Sequence, residues 1–235
     1  MLQGQAGRLS GIFCSGEAKR NPGAERKVVL FLHGSTEPAE LSSGVVYPSY
    51  LAKGYDVLAI NIRGFGGSDG TPSESGMYED AKVMYKYLAN DLGIKPENIM
   101  LHGYSLGAVA AARLAGDLFV QGVAVGGLLL DRPMPTLEKG VKASLGTGIL
   151  ARAQGALARK TLGSFSVKKN LQGYQAGILL LTDSESMGDE GEVLRDELAI
   201  DGYDVRGERT RFEHVDDDSF MNGHIGDIDD FFSGH

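Results

Sequence analysis

The stretch Asn98-Ile99-Met100-Leu101-His102-Gly103-Tyr104-Ser105-Leu106-Gly107-Ala108-Val109-Ala110 decides how the chain is read. A short apolar run ends in Gly-x-Ser-x-Gly, and an alanine-rich helical pattern begins at once. That layout predicts a strand, a sharp turn and a helix, with Ser105 presented at the turn as a candidate catalytic nucleophile. Gly103 and Gly107 fit the prediction because such a turn leaves no room for side chains beside the serine and strains its backbone.

With 34 glycines in 235 residues the pattern needs its context, and the chain supplies a control. Gly66-Gly67-Ser68-Asp69-Gly70 also fits Gly-x-Ser-x-Gly. It lies in a loop of Gly, Ser, Thr and Pro with no strand directly before it and no helix directly after, so Ser68 is not expected to be a nucleophile.

Outward from the elbow, apolar runs of strand length alternate with helical patterns. Strands are expected at 27–32, 55–62, 97–102, 122–130, 178–181 and 203–212, with an edge strand at 8–14. Their continuous apolar character suits strands covered on both faces. Helices are expected around 47–53 and 77–92, from the elbow to about 116, and at 190–200 and 225–232. Strands alternating with helices imply a mostly parallel sheet in one α/β domain spanning 1–235, with an insert at about 132–176 that breaks the rhythm.

The bulk composition is that of a globular chain. Its net charge of −8 argues against general nucleic-acid binding. The lone Cys14 excludes an internal disulfide framework and a cysteine-based metal site, so no oxidising compartment is needed and a cytosolic site of action is the default. No signal-peptide core and no run of membrane-spanning length is present. No cofactor or metal is called for.

Serine-based acyl transfer needs a hydroxyl nucleophile, a histidine base, a carboxylate to orient it and two backbone N–H groups for the oxyanion. Where the serine sits on a strand-to-helix turn, the chain order is Ser, acid, His. His214, following the last expected strand, is the expected base, with His224 as the alternative and His235 at the frayed terminus. Glu185, the fourth residue after the strand at 178–181, is the expected acid; Asp183 and then Asp131 are alternatives. The oxyanion donors are expected to be the N–H groups of Leu106 and Ser35. His33 and His102 border the turns and are expected to be structural.

The segments Phe31-Leu32-His33-Gly34, Asn61-Ile62-Arg63-Gly64-Phe65-Gly66-Gly67-Ser68-Asp69-Gly70-Thr71-Pro72-Ser73 and Gly103-Tyr104-Ser105-Leu106-Gly107 carry a resemblance to the α/β-hydrolase superfamily. The middle segment is most similar to the compact branch of protein depalmitoylases and monoacylglycerol-type lipases. The resemblance implies the α/β-hydrolase fold and a metal-independent serine hydrolase. The chain departs from the usual late motifs: Thr182-Asp183-Ser184-Glu185 stands where Gly-x-x-Asp is usual, and Glu213-His214 where Gly-His is usual.

Lys139, Lys142, Arg152, Arg159, Lys160, Lys168 and Lys169 occur in a span without Asp or Glu, and subtracting these seven from the chain's −8 leaves −15 on the remainder. The span also carries Leu145, Ile149, Leu150, Leu157, Leu162, Phe165 and Val167. It falls where α/β-hydrolases place a cap over the active site. One reading is a solvated cap. The other is an interfacial cap, apolar residues on a bilayer and basic ones at anionic head groups, each worth about 1 kcal/mol there. This combination resembles the α/β-hydrolase effector domains of MARTX-type bacterial toxins, which implies delivery to a host cytosol and hydrolysis of phosphoinositide acyl esters. The expected activity is therefore hydrolysis of an acyl ester, favouring an anionic membrane phospholipid or other lipid ester. A thioesterase acting on acylated protein cysteines and a non-catalytic binding module are the alternatives.

Overall fold

The computed structural model describes residues 2–4, 7–35, 38–41, 46–134, 165–181, 194, 198 and 217–233, with the backbone alone for 2–4 and 217–223. A short antiparallel hairpin of β1 (Leu2–Gly4) and β2 (Gly7–Leu9) precedes the main sheet. That sheet has six strands: β3 (Gly11–Cys14), β4 (Val28–Leu32), β5 (Asp56–Ile60), β6 (Ile99–Tyr104), β7 (Gly127–Asp131) and β8 (Ile178–Leu181). Their order is β3-β5-β4-β6-β7-β8, with β3 antiparallel at the edge and the others parallel.

The helices are α1 (Val46–Ala52), α2 (Glu74–Lys86), α3 (Leu106–Val120), α4 (Val167–Asn170) and α5 (Asp217–Ser233). α2 runs on into a π-helical turn at Tyr87–Asp91. Every residue of β4, β5, β7 and β8 is buried, so period-two alternation is sorted between two apolar layers rather than between core and water. Val28, Leu30 and Leu32 face the layer built by Met77, Met84 and the alanines of α3. Val29 and Phe31 face Tyr47 and Tyr50 of α1 and Ile228, Phe231 and Phe232 of α5.

Two expectations change. The single edge strand over 8–14 is two strands with different partners, divided at Ser10. Its N–H is capped by the Ser68 hydroxyl at 3.0 Å. The second change concerns the basic insert. Phe165 and Val167, expected in a cap that is either solvated or lipid-facing, are buried in the core. α4 packs on α3 so closely that a Cβ on Gly116 would come 2.5 Å from the Asn170 carbonyl oxygen. Asn170 donates to the Val109 carbonyl (3.0 Å) and to the Tyr78 hydroxyl (2.7 Å), while the Phe165 N–H donates to Glu74 (3.1 Å). These contacts make 165–171 part of the hydrolase body. Lys139, Lys142, Arg152, Arg159 and Lys160 lie outside the described residues, as does the strand expected over 203–212.

At the amino-terminal edge of the sheet, the buried Asp56 gathers residues 15–26 onto β5. Its carboxylate accepts from Arg26 Nε (2.6 Å), Arg20 Nη2 (2.8 Å) and the Gly16 N–H (2.8 Å). Asp56→Ala removes the charge that both guanidiniums answer and strips a buried N–H of its acceptor. The expected loss is about 3 kcal/mol, read as a lower urea midpoint with an unchanged slope.

Candidate active site

The parallel part of the sheet starts at β4, moves to β5 on one side and returns to β6 on the other. The strand order therefore reverses between β4 and β6, and ligands of open α/β sheets bind at the carboxyl ends of strands at such a point. β4 ends there in His33-Gly34-Ser35 and β6 ends there in Tyr104-Ser105.

Ser105 adopts φ 50° and ψ −112° between β6 and α3. A non-glycine residue at positive φ is uncommon and costs on the order of 1–3 kcal/mol, so the surroundings must impose it. Gly103 and Gly107 show how. A Cβ on Gly103 would strike Ala108 of α3, and a Cβ on Gly107 would strike the Leu32 carbonyl of β4. The Ser105 N–H donates to the Asp131 carbonyl (2.9 Å), and the Ser105 carbonyl accepts from the Met134 N–H (3.3 Å). Leu106 is the first residue of α3, so its N–H belongs to the helix's positive end.

The loop of the second expected oxyanion donor lies against the serine. A Cβ on Gly34 would be 3.3 Å from the Ser105 Cβ and 3.0 Å from the Tyr104 ring. His33, fully buried, fixes this loop. Its Nε2 accepts from the Ile62 N–H (3.0 Å), so Nδ1 carries the proton and donates to the Gly34 carbonyl (2.6 Å). A trans peptide then turns the Ser35 N–H away from His33.

Beneath the elbow lies a second buried set. His102 Nε2 donates to Asp131 Oδ2 (3.3 Å) and its Nδ1 meets the Tyr50 hydroxyl (2.8 Å). Arg132 Nε donates to Asp131 Oδ1 (3.0 Å), and its guanidinium lies 4.7 Å from the Tyr104 ring centroid. Burial alone would raise the Asp131 carboxyl, but the Arg132 charge and the His102 hydrogen bond outweigh it and hold the group below the usual carboxylate range. Burial, with the Asp131 charge close by, pushes the Tyr50 phenol well above its ordinary value, so it stays a neutral donor. Both Asp131 oxygens are thus engaged inside the protein. This carboxylate, the third choice for the triad acid, holds the floor of the site.

Ser68, the control serine, donates to the Asn61 carbonyl (2.6 Å) and accepts from the Ser10 N–H (3.0 Å), so its hydroxyl braces the glycine-rich loop. Arg63, at the head of that loop, is tied to buried Asp80 through Nη2 (2.7 Å) and through its own N–H (2.8 Å). Ser105 and Leu106 are therefore brought against the loop that carries Gly34 and Ser35. Glu185, Asp183, His214 and His235 lie outside the described residues. His224 is buried in α5 with its Nδ1 3.7 Å from Asp227 one turn along. It shares a buried stripe with Ile228, Phe231 and Phe232. Among the described residues no group of His, Cys, Asp and Glu comes together to hold a metal ion.

Tyr104 and Arg132 are functional residues that the sequence does not single out. No local signal marks them: Arg132 takes φ 43° although Pro133 follows it, and the residue before a proline ordinarily favours extended backbone.

Comparison with known proteins agrees with this geometry. The chain is 47% identical over 97% of its length to a multifunctional-autoprocessing repeats-in-toxin protein of Vibrio vulnificus, and 46% identical over 97% to one of Vibrio cholerae. It spans only 4% and 5% of those toxins' lengths. The crystal structure of an alpha-beta hydrolase (ABH) from Vibrio vulnificus superposes with a TM-score of 0.85 at 46% identity, covering 97% of this chain and 79% of that one. The Pyrococcus furiosus esterase Pf2001 shares the fold at 18% identity, with a TM-score of 0.71 over 99% of this chain and 88% of its own. A profile of the alpha/beta hydrolase family matches residues 29–214. A parallel sheet with its strained serine at the strand-order reversal, and a family match running through both, give one conclusion: the chain belongs to the alpha/beta hydrolase family.

Proposed function

We propose that this chain is a serine hydrolase that cleaves a carboxylic ester of a membrane lipid. Ser105 is the nucleophile, His214 the general base, and Glu185 (with Asp183 beside it in sequence) the carboxylate that orients the base. The observation that carries this reading is the Ser105 backbone at φ 50°, ψ −112°, between two glycines and against the Gly34–Ser35 loop. A strained serine at a helix amino terminus beside a second N–H-bearing loop suits acyl transfer.

In the reaction, His214 takes the Ser105 hydroxyl proton as Oγ attacks the ester carbonyl carbon. The N–H groups of Leu106 and Ser35 receive the oxyanion. The ester C–O bond breaks and His214 gives its proton to the departing alcohol. Water, deprotonated by the same histidine, then releases the acid from Ser105.

His214 is favoured over His224 for two reasons. The family match extends to residue 214, and His224 is a buried ring inside α5. A base must reach the serine hydroxyl at the sheet's carboxyl edge. Asp229, five residues after His224 on the same helix, bonds Tyr55 and Lys53 beside the start of β5, at the opposite edge.

A lipid substrate is supported by the chain's likeness to a lysophosphatidylserine lipase ABHD12 of Danio rerio. The two are 32% identical over 117 residues, covering 49% of this chain and 30% of that protein. The basic span at 139–169 supports the same choice, since it sets positive charge on an otherwise acidic chain. Among the described residues no helix is long and apolar enough to cross a membrane.

A fluorophosphonate probe should label the wild type and leave Ser105→Ala unlabelled; equal labelling of the two removes the nucleophile assignment. His214→Ala should lose labelling by at least ~10²-fold while His224→Ala retains it, and the reverse pattern moves the base to His224. Turnover of a panel of lipid esters and acyl thioesters decides the substrate class, a thioester preference overturning the lipid-ester reading. Sedimentation with vesicles of phosphatidylcholine and phosphatidylserine should weaken as salt rises and as Lys139, Lys142, Arg152, Arg159 and Lys160 are neutralised. Binding that ignores both changes rejects the basic span as the membrane contact.

A further inference from the structure

Ser105 does not hold its own conformation; one short turn grips it from both sides. Its N–H donates to the Asp131 carbonyl and its carbonyl accepts from the Met134 N–H, at 2.9 and 3.3 Å. The turn Asp131-Arg132-Pro133-Met134 is therefore the elbow's backbone partner, and its shape depends on Arg132. That residue is at φ 43°, and its own N–H donates 2.7 Å to the Leu181 carbonyl of β8.

Backbone geometry alone calls for glycine at such a position. The chain has arginine instead, and the side chain is buried and employed. Nε donates to Asp131 Oδ1, the carboxylate already fixed by His102, and the guanidinium lies over the Tyr104 ring. Tyr104 precedes the nucleophile, and its ring abuts the Gly34 backbone so closely that a Cβ there would lie 3.0 Å from it. Arg132, Tyr104 and Gly34 thus form one stack, running from the turn that grips Ser105 to the loop expected to supply the second oxyanion donor.

We propose that Arg132 is a positioning residue for the nucleophile: its guanidinium, anchored on Asp131 and stacked on Tyr104, sets Ser105 against the Gly34–Ser35 loop. The inference rests on Ser105 being the nucleophile. It goes beyond that reading because it assigns a function to a residue that takes no part in the chemistry. Arginine is specifically suited. A planar guanidinium can accept the ring face and pair with the carboxylate together, whereas a lysine ammonium supplies a point charge and no plane.

The test is the second-order rate of fluorophosphonate labelling at Ser105, measured beside the folded fraction from thermal melts and circular dichroism. Arg132→Gly keeps the positive φ accessible and deletes the side chain; it should label about tenfold more slowly or worse while remaining folded. Added guanidinium, well below denaturing concentration, should recover part of that rate. Arg132→Lys should fall between the two. Tyr104→Leu is the second variant, retaining the Arg132–Asp131 pair and deleting the stack; it should slow labelling, and combining it with Arg132→Lys should add little. Arg132→Gly labelling within twofold of wild type overturns the proposal. So does a rate loss that follows the folded fraction and does not respond to guanidinium. If Arg132→Gly does not fold, Tyr104→Leu labelling at the wild-type rate overturns it. A wild type that is not labelled at all overturns the nucleophile reading instead, and is recognised as such because no variant is then compared.

Discussion

The constraint on which the structure depends is the backbone of one serine held where serines rarely sit. Positive φ at Ser105 requires that β6 and α3 meet at a closed angle, and that angle requires the two elements to touch without intervening side chains. Gly103 against Ala108 and Gly107 against the Leu32 carbonyl satisfy this. The rest of α3 continues the same logic. Its buried face is built of Ala108, Ala110, Ala111, Ala112 and Ala115, so the helix lies low on the sheet, and Gly116 lets α4 approach it in turn. A close-packed interior then transmits the position of each of these layers to the elbow.

Acidic side chains mark the places where the layers are tied together. Asp56, Asp80 and Asp131 are all buried, and each is paired with arginine: Asp56 with Arg20 and Arg26, Asp80 with Arg63, Asp131 with Arg132. A buried carboxylate without such partners is costly, so each pair specifies an arrangement as well as neutralising a charge. The three sit at different levels. Asp56 holds the amino-terminal edge of the sheet, while Asp80 and Asp131 secure the loop after β5 and the turn after β7 at the functional edge.

How much of this could be read from the chain depends on whether the signal was local. The apolar runs were legible as strands because a strand covered on both faces has no polar alternation to confuse. The elbow was legible because its glycines, its serine and its small-residue helix are consecutive. Phe165 and Val167 were misread because an apolar residue among lysines looks the same whether it faces a bilayer or α3; what lies opposite is settled by tertiary packing alone. Ser68 was readable as a non-nucleophile from its loop, but its bonds to Asn61 and Ser10 cross more than fifty residues in one case and were not. Arg132 was invisible for a related reason: its backbone contradicts the preference that Pro133 imposes, and only contacts from β6, β8 and Asp131 make it stable.

The Asp131 set also bears on where a triad acid can come from. Tyr50 donates toward His102, His102 toward Asp131, and Arg132 toward Asp131, so every proton in this chain points to one buried carboxylate. The arrangement has the order of a hydroxyl–histidine–carboxylate relay, yet the hydroxyl is a buried phenol whose acidity burial has suppressed. It therefore works as a scaffold. A carboxylate at the end of β7 with both oxygens committed in this way is poorly placed to orient a base as well. The Asp131 charge is left to what its geometry serves: keeping Arg132, and through it the elbow, in one position.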